Sequence, residues 1–144
     1  MPRFTGLALA LALAALSTCS TASVASAAAA APVPLDHLTL TVTDSADRAS
    51  DGTYELICHP AAGTHPAPQT ACDRLDELTT WGTDPFAPVP PDSLCTMQYG
   101  GPATAHVTGT WAGRPVDASY KRTDGCEIAR WDDFAPVLPT RTGT

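Results

Sequence analysis

The sequence predicts an α+β domain with an antiparallel sheet. Three observations predict it. Two segments of two-residue alternation lie close together before residue 60, and two more strand-like segments follow residue 104. Between the pairs runs one segment with helical spacing. Strand pairs with short polar connections and a separate helix fit a layered α+β domain better than alternating β-α-β units.

Leu38, Leu40 and Val42 alternate with Thr39, Thr41 and Thr43, the pattern of a half-buried strand. Residues 44–52 are polar and read as a turn. Thr53 to Cys58 is a second strand with Tyr54, Leu56 and Cys58 on one face, so the pair forms an antiparallel hairpin. Gly63-Thr64-His65-Pro66 reads as a helix start with Thr64 as cap. Ala71, Leu75 and Leu78 then recur at helical intervals, and the helix is expected to end near Gly82. After residue 104, Ala105–Trp111 and Val116–Arg122 are strands joined by a turn at Ala112–Pro115. Ile128, Trp131 and Phe134 recur every three residues, which fits a helical turn or an irregular cap on the sheet equally well.

The ends of the chain differ from its middle. Arg3, an apolar run from Leu7 to Leu16 and an Ala25-Ser26-Ala27 site have the layout of a secretory signal. The expected organisation is a signal over 1–27, an Ala- and Pro-rich arm over 28–35, one domain over 36–136 and a tail over 137–144. Export then means a secreted, extracellular protein. A rival reading makes Cys19 in Leu16-Ser17-Thr18-Cys19 a lipidated N-terminus, the one route to a membrane. Removing residues 1–27 takes away a single arginine, so the net charge moves from −7 to −8. An acidic chain without a basic cluster is a poor nucleic-acid binder.

Cleavage at Ala27 leaves Cys58, Cys72, Cys95 and Cys126. Four cysteines in a small exported domain read as two disulfides, with three pairings open. Cys72 borders the helix's apolar face, within reach of Cys58 on the second strand. A Cys95–Cys126 link would pin the segment around Met97 to the end of the second hairpin. No Cys-x-x-Cys or helical histidine pair suggests a metal. His37, His59, His65 and His106 are scattered and read as surface or turn residues, and Asp132-Asp133 reads as a solvated turn pair. No catalytic motif is present, so the chain reads as a non-enzyme without cofactor or metal.

Cys95-Thr96-Met97-Gln98-Tyr99-Gly100-Gly101-Pro102 carries the functional signal. Prolines from Pro85 to Pro91 precede it and Gly-Gly-Pro closes it, so it reads as an exposed loop. Met97 is then either bait for another protein's pocket or filler at a strand edge.

Together these pieces resemble the Streptomyces subtilisin inhibitor family, secreted inhibitors of serine proteases. The resemblance rests on Leu38–Val42, Cys58-His59-Pro60, Gly63–Pro66, the helix with Cys72, Cys95–Tyr99, Gly109-x-Trp111-x-Gly113 and Tyr120-x-Arg122 before Cys126. It implies a five-stranded antiparallel sheet with two helices, stapled by Cys58–Cys72 and Cys95–Cys126, and often a homodimer. It also implies subtilisin-like, and by extension chymotrypsin-like, proteases as partners. The reactive bond would be Met97–Gln98, with Cys95, Thr96 and Tyr99 completing the loop. Thr96 stands where the family often has proline. The second reading is a secreted or lipid-tethered binding module on the same scaffold without protease inhibition.

Overall fold

The structure, a computed structural model, describes residues 36–139. It is the expected α+β arrangement: a five-stranded antiparallel sheet, two helices and two disulfides. The strands are β1 (His37–Thr43), β2 (Gly52–Ile57), β3 (Ala62–Gly63), β4 (Thr104–Trp111) and β5 (Arg114–Lys121). The helices are α1 (Pro68–Leu78) and α2 (Gly125–Asp133). Strand order is β3-β2-β1-β4-β5, with β1 central.

The register explains why the alternation was so clean. Leu38 lies opposite Leu56, and Leu40 opposite Val107, so their side chains share one face. Ala105, Trp111, Val116, Ala118 and Tyr120 join them from β4 and β5. The helices close this face with Ala71, Cys72 and Leu75 from α1 and Trp131 from α2. The opposite face carries Thr39, Thr41, Thr53, Thr108 and Asp117, which solvent tolerates. The first hairpin connection is polar as expected and includes a short 3-10 turn, Arg48–Ser50.

Several local expectations need correction. Thr64 is not a helix cap. Its hydroxyl accepts the amide of Glu55 at 2.8 Å, and the amides of Thr64 and His65 both donate to the Glu55 carbonyl, so this segment continues the sheet edge. The helix starts later, at Pro68, where the missing N–H costs nothing. It ends at Leu78, short of Gly82, because the Thr79 hydroxyl turns back to the Leu75 carbonyl and accepts the indole N–H of Trp111 at 2.8 Å. The second hairpin turn is only Ala112-Gly113, both at positive φ, so Arg114 and Pro115 already belong to β5.

The choice left open at Ile128–Phe134 resolves as α2, a true helix. Asp124 caps it by accepting the amide of Glu127 at 3.0 Å. Asp132 and Asp133 are therefore the last helical residues rather than a turn pair, and Asp132 pairs with Arg122 at 2.7 Å. The packed core also runs past residue 136: Val137 and Leu138 are fully buried, and the Trp131 indole donates to the Pro139 carbonyl. Residues 137–139 are thus part of the domain rather than tail. The expected signal and arm over 1–35, with Cys19, and residues 140–144 of the expected tail lie outside the described residues.

The proline-rich segment has a definite place. Phe86 is buried edge-on against Phe134 at 5.5 Å. Arg130 of α2 donates to the carbonyls of Phe86, Ala87 and Ser119 and stacks over Tyr120 at 3.9 Å. One guanidinium thus fastens α2, β5 and the segment leading to Met97 together.

His65 is buried rather than on the surface. Its ring accepts the Ala67 amide and donates to the Val137 carbonyl at 3.2 Å, and burial pushes its pKa down. His59 is exposed as expected, but its two nitrogens face Asp36 at 2.8 Å and Asp76 at 3.0 Å. Those hydrogen bonds, Asp36 first, raise its pKa. The two rings therefore act oppositely on stability. His65 titrates lower folded than unfolded, so its stabilisation is complete above about 6.5 and is lost as pH falls below that value. His59 titrates higher folded, so its stabilisation is complete below about 6.5 and is lost as pH rises through the folded value. Imidazole NMR is expected to place the two midpoints on opposite sides of about 6.5. Coincident midpoints would contradict both environments.

Candidate functional site

The residues between Ser93 and Ala103 form no helix or strand. Prolines and glycines account for this, since they deny the segment a continuous hydrogen-bond ladder. It is nevertheless held at several points, and all of them lie on α2 or at the end of β5.

Cys95 is bonded to Cys126 in the first turn of α2. The Gly125 amide donates to the Thr96 carbonyl at 3.0 Å. Glycine at 125 leaves room for this approach, because an added Cβ would force the Thr96 hydroxyl to rotate away. On the other side of Met97, the Gly100 amide donates to the Arg122 carbonyl at 2.8 Å, and the Arg122 guanidinium donates back to the Gly100 carbonyl at 3.3 Å. Gly100 lies so close to Ile128 that a Cβ would sit 2.8 Å from its side chain.

Between these anchors the side chains point outward. Met97 is 98% exposed and Tyr99 66% exposed. The core-filler alternative for Met97 is therefore excluded by its environment. Gln98 is exposed too. Leu94 is 101% exposed, a residue the sequence reading did not single out. Its surroundings, Asp92, Ser93 and Cys95, carry no periodicity that marks it. Three apolar side chains in six residues, all facing water at one pinned loop, form a surface that a partner can cover.

Asp124 lies close to the Cys95 and Cys126 sulfurs, but both sulfurs are spent in the disulfide, and the carboxylate caps α2. The other disulfide, Cys58–Cys72, ties α1 to the end of β2, far along the chain from the loop.

The family profile described as subtilisin inhibitor-like matches residues 34–124. The chain belongs to that family. The match covers β1 through β5 and the exposed loop and stops just before α2. Among the relatives of this subtilisin inhibitor-like chain is subtilisin inhibitor-like protein 1 of Streptomyces cacaoi. It is 36% identical over 91 residues, 60% of this chain and 78% of the relative. The subtilase-type protease inhibitor of Streptomyces fradiae is 40% identical over 94 residues, 62% of this chain and 63% of the relative. Among solved structures, Streptomyces caespitosus sermetstatin in complex with Bacillus licheniformis subtilisin matches at 25% identity with a TM-score of 0.44. That match covers 71% of this chain and 97% of the other.

Proposed function

We propose that the protein is a secreted inhibitor of subtilisin-like serine proteases, not an enzyme, and that it offers Met97–Gln98 as a substrate-like bond. The observation that carries this reading is the contrast at Met97: a fully exposed apolar side chain on a segment whose backbone is tied down on both sides. Family membership supports the same reading, and the names of the two relatives describe protease inhibitors.

The physical logic is preorganisation. A protease binds its substrate as an extended strand with one side chain in its S1 pocket. A loop already held in place loses little entropy on docking, so more of its contact energy appears as affinity. Met97 enters S1, where burial of its side chain contributes about 1.5–3 kcal/mol. Gln98 begins the leaving side, with Tyr99 next to it. Cys95 and Thr96 form the approach to the bond, and Leu94 offers a second apolar anchor before them. An apolar S1, as in subtilisin-like and chymotrypsin-like enzymes, suits the thioether. A trypsin-like S1 keeps an unpaired carboxylate, so trypsin is inhibited poorly.

Titrating subtilisin with purified mature protein tests this. Stoichiometric loss of protease activity is expected. Undiminished activity at micromolar inhibitor would reject the proposal and leave the binding-module reading. In a homodimer the threonine-rich open face of the sheet would meet its copy, which sedimentation at micromolar concentration reads directly.

A further inference from the structure

We infer that Arg122, held by Asp132, is the positioning residue for the amine side of the Met97–Gln98 bond. This rests on the inhibitor reading above and says which residue makes inhibition durable. The two sides of the bond are secured differently. The acyl side has a covalent tie, Cys95–Cys126. On the amine side the nearest restraint is Gly100, which Arg122 grips twice: its carbonyl accepts the Gly100 amide at 2.8 Å and its Nε donates to the Gly100 carbonyl at 3.3 Å.

Arg122 is itself fixed. It follows β5 directly, is 8% exposed, donates from Nη1 to the Asp132 carboxylate at 2.7 Å and lies over the Trp131 ring at 5.7 Å. No other described cation contacts the loop between Met97 and Pro102. Immediately after Gly100 the chain enters Gly101, at φ 105, where it is free to turn.

The chemistry shows why this matters. The protease serine oxygen adds to the Met97 carbonyl carbon. The bond to the Gln98 nitrogen breaks, and the serine proton passes through the protease histidine to that nitrogen, leaving an ester and an amine. Return of the amine to the ester carbon re-forms the peptide bond and restores the serine proton. Water attacking first leaves a Met97 carboxylate and a cleaved inhibitor. The outcome depends on how near the amine stays. With Gly100 gripped, the Gln98 nitrogen is two residues from a fixed point, a reach of about 7 Å. Without the guanidinium Gly100 keeps only its amide bond to the main-chain carbonyl of residue 122, which opens more readily; each time it opens the next buried residue is Ala103, and the reach grows to about 17 Å. The amine's effective concentration falls with tether length, and its orientation is lost as well.

The test uses the full disulfide-bonded chain with Arg122→Met, Arg122→Lys and Asp132→Asn, and Arg114→Met as the exposed-arginine control. Subtilisin activity, cleavage at 97–98 by mass spectrometry and hydrogen exchange at the Gly100 amide are followed. Arg122→Met is expected to inhibit on mixing and then release activity, with the cleaved form accumulating about tenfold faster or more and Gly100 exchanging faster. Arg122→Lys and Asp132→Asn should fall between it and the wild type, and Arg114→Met should match the wild type. If Arg122→Met fails to fold, the half-exposed Asp132→Asn substitution carries the test. Unchanged cleavage and exchange in a wild-type-like inhibitor overturn the role of Arg122 alone. A wild-type chain that neither inhibits subtilisin nor is cut at 97–98 overturns the inhibitor reading and this role with it.

Discussion

Replacing Met97 by lysine is expected to turn a poor trypsin inhibitor into a good one. The change leaves the fold untouched, because the side chain contacts nothing inside it at 98% exposure. In a trypsin-like S1 the new ammonium pairs with a buried carboxylate that methionine leaves unpaired. A desolvated, hydrogen-bonded charge pair of this kind is worth about 3 kcal/mol, roughly a hundredfold in the inhibition constant. Subtilisin should lose affinity in the same variant. Aspartate at 97 isolates that second effect. It forfeits about 1.5–3 kcal/mol of apolar burial and adds the cost of an unpaired charge in a dry pocket. Subtilisin binding should then weaken by about a hundredfold or more. Inhibition constants for both proteases with all three side chains provide the check. If neither constant moves, Met97 does not occupy S1.

The second large effect concerns Cys95–Cys126. Replacing both cysteines by serine removes a cross-link with a sequence separation of 31, worth about 3.5–4 kcal/mol in the chain-entropy description. For a domain of this length that lowers Tm by roughly 15–30 °C. Folding should survive in the cold, since Cys58–Cys72 and the shared core are untouched. Function should suffer more than fold. Thr96 then hangs on a single hydrogen bond from Gly125, and the loop behaves as a substrate. Calorimetry reads the first effect, and the rate of cleavage at 97–98 reads the second. A variant with a lowered Tm but wild-type resistance to cleavage would show that the disulfide serves stability only.

Much of this architecture was legible in the residues. Leu38, Leu40 and Val42 announce β1 because one face of the sheet is dry and the other wet, which is the condition for clean alternation. Ala71 and Leu75 place α1 for the same reason. The boundaries were harder to read because they depend on distant partners. Thr64 looks like a cap until Glu55 is seen beside it, and α1 stops where Thr79 meets Trp111. His65 and the pair Val137–Leu138 bury one another's surroundings across more than seventy residues of chain.

At the loop, the flanking prolines and glycines read as an exposed segment and the Cys95–Cys126 tie was among the open pairings, but Met97 itself stayed open between bait and filler, and the non-covalent restraints were invisible. Gly125, Arg122 and Ile128 reach it from elements that lie far along the chain. A signal for α2 was present all the same: Asp124 followed three residues later by Glu127 has the layout of a helix cap. Leu94 had no such signal. Its prominence comes only from the way the chain emerges beside Cys95.

The nine residues of α2 serve as the bench on which the loop is mounted, and the sheet is the floor beneath it. A substitution in α2 that tilts this short support therefore tilts what it displays, even where the sheet and its register are unchanged.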